Sequence, residues 1–299
     1  MLLAPHESER RYTMQKRQLG PDGPAVSAVG LGGMLLSISG RPPEDQAVAT
    51  IHAALDAGVT FIDTADAYCM DERDMNHNER LIASALAGRS ETVVVATKCA
   101  CRRPGGAWTV DARPEYLEEA AHASLAALGV EALDLLQLHA PDSHVPFADS
   151  VGALAKLREA GKVKLVGLSN VNVKQIEEAR SIVPIASVQN RWNPEDRGPE
   201  RDGVLSYCER HRIAFIPYSP FGGTRGAPLL ATLGHLSDEA RRRRLSVYQL
   251  VVAWMLSKSP VVIPIIGARR PESITESAAA ADVRLSAADI ASIEASLPQ

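Results

Sequence analysis

The sequence predicts a (β/α)8 barrel with an N-terminal β-hairpin, and three observations lead there. Short apolar runs alternate with amphipathic stretches through eight successive units. The runs are continuously apolar, as expected of strands buried on both faces in a parallel sheet covered by helices. They are evenly spaced and nearly all end on a polar residue, whereas a doubly wound open sheet collects its functional groups at one crevice.

The elements follow in order. A hairpin is expected around Gly20 to Gly23, and VSAVGLGG (26–33) reads as the first strand. Pro42-Pro43-Glu44-Asp45 opens a helix to about residue 57, with prolines and acids in its first turn as helix starts prefer. Strand 61–65 leads to helix 78–87, and strand 93–98 to helix 113–128. Strand 134–139 precedes helix 147–160, with Gly161 as its C-cap. Strands 163–170, 186–190, 214–219 and 261–267, with helices 173–181, 199–211, 246–257 and 271–280, complete the eight units. One domain, 18–299, is expected to follow a flexible tail, 1–17.

Composition narrows the function classes. A net charge of −4 argues against nucleic acid as the main partner. Cys69, Cys99, Cys101 and Cys208 are too few and too unevenly spaced to staple a chain of 299 residues, which predicts a reduced, cytoplasmic setting. A C-x-C without a second pair is poor zinc spacing, so no metal is expected. The N-terminus lacks a signal-type apolar run, and stretch 245–268 is broken by Ser257-Lys258-Ser259-Pro260, so no membrane span is expected. Val29-Gly30-Leu31-Gly32-Gly33 resembles the start of a dinucleotide fingerprint. Position 35 is leucine, however, and no helix begins until Pro42, so the glycines read as close backbone approach at the barrel mouth.

Asp63, Tyr68, Lys98 and His139 each sit at or just past the downstream end of an apolar run, on strands two to four. An ammonium beside a phenol, with a carboxylate to hold it and an imidazole in relay distance, is a device for protonating a carbonyl oxygen. Tyr68 is the candidate donor. An ammonium about 4 Å away at an effective dielectric of about 20 favours phenolate by up to ~4 kcal/mol, or roughly three pKa units. Lys98 would supply that field, Asp63 would fix Lys98, and His139 would hydrogen-bond the substrate oxygen or share the proton. Read singly, the Asp-Tyr pair is loop structure and the histidine a satisfied core residue; their joint placement makes the case.

FIDTADAY, TK, QLHAPD, GLSN, SVQN, IPYSP and IPIIGARR, in this order, resemble the aldo-keto reductase superfamily from about Gln18 to the C-terminus. The resemblance implies a (β/α)8 barrel and reversible carbonyl reduction with a nicotinamide dinucleotide, NADPH with NADH as the alternative. It gives the four residues the roles just described. It also implies a small-molecule carbonyl partner and a monomer or weak homo-oligomer.

Ser169, Asn170 and Gln189 end adjacent strands with groups that suit a nicotinamide carboxamide, and Tyr218 would stack on the nicotinamide face. Arg269 and Arg270, just before a helix opened by Pro271-Glu272-Ser273, stand where barrels of this type bind phosphate. The resemblance assigns this segment to the adenosine 2'-phosphate and extends the cofactor set to Gly33, Met34, Ser219, Pro220, Gly267 and Ser273. Glu276 is the usual acid, but Ser277 stands where an asparagine often contacts the adenine.

Two further departures bear on substrate. The segment after Tyr68 is long and lacks the common glycine, and the long loop after Lys98 brings Trp108 toward the mouth. Trp108, Trp192 and Met34 are expected to line an apolar substrate site. Two rival functions remain: a Schiff-base lyase using Lys98, and a regulatory protein that binds NADPH with negligible turnover.

Overall fold

The computed structural model describes residues 14–297. The expected flexible tail falls, for residues 1–13, outside the described residues. Lys16 and Arg17, counted with that tail, belong instead to β1 (Lys16–Gln18), which pairs antiparallel with β2 (Ala25–Ser27). Leu19 and Val26 of this hairpin are fully buried against the barrel interior, alongside Phe61, Leu135 and Ile263. The Arg17 guanidinium caps the carbonyls of Leu256 (2.6 Å) and Val262 (2.8 Å), pinning the hairpin under the barrel.

The expected first strand, 26–33, is two. β2 ends at Ser27, whose hydroxyl donates to Val29 O (2.7 Å) and accepts from Thr60 N (2.8 Å), and β3 (Gly30–Gly32) then enters the barrel. The other strands are β4 (Phe61–Asp63), β5 (Val94–Cys99), β6 (Cys101–Arg102), β7 (Thr109–Val110), β8 (Leu133–Leu138), β9 (Val163–Ser169), β10 (Ile185–Gln189), β11 (Ala214–Phe215) and β12 (Ile265–Gly267). Eight of them form one parallel sheet in the order β11-β10-β9-β8-β5-β4-β3-β12. A parallel bridge from Phe215 to Val262 joins its two ends, so the sheet closes into the (β/α)8 barrel. The short antiparallel pair β6 and β7, not anticipated, forms the stem of the loop that carries Trp108.

The helices begin and end where local chemistry directs. They are α1 (Glu44–Asp56), α2 (His77–Leu86), α3 (Pro114–Leu128), α4 (Phe147–Glu159), α5 (Val173–Arg180), α6 (Gly198–Arg201), α7 (Val204–Arg210), α8 (Gly223–Leu230), α9 (Gly234–Arg242), α10 (Val247–Lys258), α11 (Pro271–Ala278) and α12 (Ala287–Ser296). Proline opens α3 and left-handed Gly129 closes it. Reciprocal capping boxes start α5 (Asn172 with Gln175) and α10 (Ser246 with Gln249). The single helix expected over 199–211 is divided at Asp202-Gly203, where Gly203 turns left-handed (φ 84°). The helices α8 and α9, between β11 and α10, and the C-terminal α12 were not foreseen.

Apolar side chains fill both the barrel interior and the shell between strands and helices. No helix among the described residues is long and apolar enough to cross a membrane.

Candidate active site

Parallel register brings the polar strand ends to one level. Asp63 closes β4, Lys98 lies one residue from the end of β5 opposite Gln137, and Gln189 closes β10 opposite Ser169. His139 follows β8 at once, and its N–H donates to Cys99 O (2.9 Å).

Lys98 is fully buried, and its Nζ donates to Asp63 Oδ2 (2.6 Å), Thr64 O (2.8 Å) and the Tyr68 hydroxyl oxygen (2.9 Å). An ammonium has three hydrogens and no acceptor, and here each hydrogen has its acceptor. Such a nitrogen has no lone pair to attack a carbonyl, which counts against the Schiff-base chemistry. Because Nζ donates to the phenol oxygen, the phenol's own hydrogen is directed elsewhere. The second oxygen of Asp63 accepts from Gln189 Nε2 (2.8 Å) and Gln137 Nε2 (3.4 Å).

Gln137 went unremarked in the sequence, although an amide inside the apolar run LDLLQLH is itself a signal of a buried polar contact. Gly167 makes room for it, since a Cβ there would lie 2.2 Å from Ser187 Oγ and 2.9 Å from Gln137 Cγ.

Burial dominates the electrostatics. It pulls Lys98 below the usual ammonium value, against the opposing charge of Asp63. It also pushes Tyr68 well above an ordinary phenol, with Asp63 adding to the rise. The cost of removing a phenolate from water leads that rise. Tyr68 rests as a phenol. Burial and then the Lys98 charge hold His139 far below the usual imidazole value, so its ring is neutral. His139 Nδ1 is buried without a protein partner among the described residues.

A cavity of about 730 Å³ runs from Tyr68 and His139 across the mouth to Arg269 and Ser277. Every residue expected in cofactor binding lines it except Gly33. A Cβ on Gly33 would lie 2.3 Å from Asn78 Oδ1 and 3.0 Å from Asp63 O, so this glycine is required by the protein's own packing, and Gly32 faces the cavity instead. The Tyr218 hydroxyl donates to Asn170 Oδ1 (2.8 Å), and Asn170 Nδ2 donates to His139 O (2.9 Å). Asn170 (φ 59°), Ser219 (φ 52°) and Ala100 (φ 98°) are left-handed although none is glycine, and such strain gathers at functional sites.

At the far end Arg269 Nε is buried without a partner among the described residues, beside Ser273 and Ser277 and the N-terminus of α11. An orphaned guanidinium N–H, hydroxyls and a helix N-terminus together fit a phosphate. The segment after β11 also contributes: Phe221, Thr224, Ala227 and Pro228 line the cavity, and Tyr248 anchors them through its hydroxyl to Ala227 O (3.0 Å).

Of the two tryptophans expected at a substrate wall, Trp108 lines the cavity and Trp192 does not. Trp108 stands edge-on to Tyr68 (6.4 Å between ring centres) and His139 (6.1 Å). Trp192 is fully buried among Trp254 (5.1 Å) and Phe215 (5.9 Å), with its indole N–H on Glu200 Oε1 (2.9 Å). The outer shell holds it because the ring buries its large apolar area there while its N–H still finds a partner. Cys69 is likewise buried, against Met75 Sδ (3.6 Å), and lies outside the cavity lining.

A closed parallel barrel with a buried relay at the C-terminal ends of its strands, and a long cavity beside it ending in a phosphate-type pocket, defines an enzyme-class site. The Aldo/keto reductase family model matches residues 28–298. An uncharacterized oxidoreductase of Schizosaccharomyces pombe is 33% identical over 274 residues, covering 90% of this chain and 86% of its own. The structure of a glycerol dehydrogenase from Gluconobacter oxydans superposes with a TM-score of 0.83 at 28% identity, covering 94% of each chain. An aldo/keto reductase from Klebsiella pneumoniae, solved with NADP and acetate, superposes at 0.81 with 27% identity over 95% of this chain and 97% of its own. The chain belongs to the aldo/keto reductase family of oxidoreductases.

Proposed function

We propose that this protein reduces an aldehyde or ketone to the alcohol with NADPH, Tyr68 supplying the proton. The observation that carries this reading is the hydrogen bond from Lys98 Nζ to the Tyr68 oxygen, which leaves the phenol hydrogen free for a carbonyl in the cavity. The cofactor, when bound, supplies the hydride. As charge develops on the substrate oxygen, Tyr68 gives it a proton, and Lys98, held by Asp63, stabilises the phenolate left behind. Neutral His139 donates a hydrogen bond to the same oxygen without adding a charge.

Tyr218 presents its ring to the nicotinamide. Gln189 spends Nε2 on Asp63 and keeps Oε1 for the carboxamide, so one side chain ties cofactor position to the relay. Arg269, with Ser273 and Ser277, holds the 2'-phosphate, which is the reason for reading NADPH ahead of NADH. Met34 and Trp108 form apolar sides of the carbonyl subsite. We read the chain from β1 onward as one catalytic domain acting in the cytoplasm as a monomer or weak homo-oligomer, a setting that suits four buried, unpaired cysteines.

Single-turnover oxidation of bound NADPH, followed by absorbance across a panel of aldehydes and ketones, tests the reading. Tyr68→Phe is expected to bind NADPH as the wild type does and to turn over roughly 10²- to 10⁴-fold more slowly, the ordinary worth of a general acid. A wild-type rate in that variant removes Tyr68 as donor. If the wild type oxidises NADPH with no carbonyl on the panel, reduction itself is refuted.

A further inference from the structure

Arg103 follows β6 in the loop that carries Trp108, and it is only 6% exposed. Its sequence neighbours in charge, Arg102 and Arg113, pair with Asp111. Arg103 donates to carbonyls instead: Nε and Nη2 to Gly106 O (3.1 and 2.8 Å) and Nη2 to Met70 O (3.2 Å). Its Nη1 is buried without a partner among the described residues. A cation kept from water without a carboxylate is costly, so something must offset it. The guanidinium lies 4.2 Å from the centre of the Trp108 ring, in stacking range of its negative face.

The geometry makes Arg103 a clip between two loops. Met70 belongs to the segment after Tyr68 and Gly106 to the segment after Lys98, and Gly105 N adds a second tie to Glu72 Oε2 (2.6 Å). Trp108 is stacked on this clip and stands edge-on to both Tyr68 and His139. Trp108 (48% exposed) lines the cavity, while Met70 (41%) and Val110 (39%) are exposed apolar side chains on the same two loops.

We propose that Arg103 is a positioning residue that holds Trp108 as the apolar roof of the carbonyl subsite, so that carbonyl compounds with an aromatic or alkyl substituent are preferred over polyhydroxylated ones. The proposal rests on the carbonyl-reducing reading above. A planar guanidinium is required, because only a flat, forked cation both stacks on the indole and reaches two carbonyls.

The test has two arms. Trp192 and Trp254 are fully buried while Trp108 is half-exposed, so acrylamide quenching of tryptophan fluorescence reports on Trp108, with or without turnover. Arg103→Met is expected to raise the quenching constant and to lower kcat/KM for benzaldehyde about tenfold more than for glyceraldehyde, the scale of a lost apolar contact, chiefly through KM. Arg103→Lys should do the same, since it keeps the charge and loses the plane. Trp108→Ala should lose the same selectivity, and the double variant no more than either single.

Unchanged quenching and selectivity in both Arg103 variants overturns the proposal, as does an equal loss for the two aldehydes or full additivity in the double. Should Arg103→Met fail to fold, the lysine and alanine variants decide. A wild type that reduces no carbonyl refutes the activity, and quenching still decides the bracing.

Discussion

Replacing Lys98 by methionine keeps the length and much of the shape of the side chain and removes its charge. Asp63, 1% exposed, then loses its Oδ2 partner at 2.6 Å and keeps only the amides of Gln189 and Gln137 on Oδ1. Stripping one partner from a buried ion pair costs about 3–5 kcal/mol, and the two surviving amides place this case near about 3 kcal/mol. For a chain of 299 residues, at about 2.1 cal/mol/K of unfolding entropy per residue, that corresponds to a fall in Tm of roughly 5 °C.

Urea unfolding measures the loss. Combining Lys98→Met with Asp63→Asn removes the stranded charge, leaves an acceptor for Gln189, and should recover about 2 kcal/mol or more. A single variant within about 1 kcal/mol of wild type, or a double variant that merely adds two losses, would refute the ion-pair account.

Arg269→Ala should weaken NADPH by roughly 10- to 100-fold, the worth of a charge-assisted hydrogen bond, with far less effect on NADH; equal losses by fluorescence titration would remove the 2'-phosphate role. Asp66 is fully buried, with Oδ1 on Ala67 N (2.6 Å) and Oδ2 without a partner among the described residues. Burial first, and then the nearby Glu79, hold its pKa well above the usual carboxylate value. Its contribution to stability is therefore full at low pH and lost as pH rises toward the folded value. Asp66→Asn should gain on the wild type between pH 5 and pH 8, and a urea-midpoint difference that stays constant across that range would contradict this. Trp192→Ala should cost about 3–5 kcal/mol as a core deletion while leaving the ratio of kcat/KM between small and large aldehydes unchanged; a changed ratio without lost stability would return Trp192 to the substrate wall.

Strand ends were legible because a residue that ends an apolar run must point somewhere water or a partner can reach it. Asp63, Lys98 and His139 declare themselves that way, as do Ser169, Gln189 and Tyr218. Trp192 was misleading because an indole after a strand is equally suited to mouth and shell, and only the position of Trp254 on α10 chooses between them. Gly33 misled similarly, since close approach is visible in a glycine and the approaching atom, here Asn78, is not. The helix α8 escaped because Gly222, Gly223, Gly226 and Pro228 interrupt the periodicity by which helices are recognised. Gln137 lies far in sequence from Asp63, and Arg103 far from Met70.

By itself the sequence determined the barrel, the end of it that carries the chemistry, and the residues that gather there. These follow from hydrophobic period and strand polarity, which are local properties of a chain. Tertiary structure alone decided how those residues share hydrogen bonds and what burial does to their charges. It raises the Tyr68 phenol well above its usual value although an ammonium stands 2.9 Å away, because the cost of withdrawing ions from water depends on every atom that closes over them.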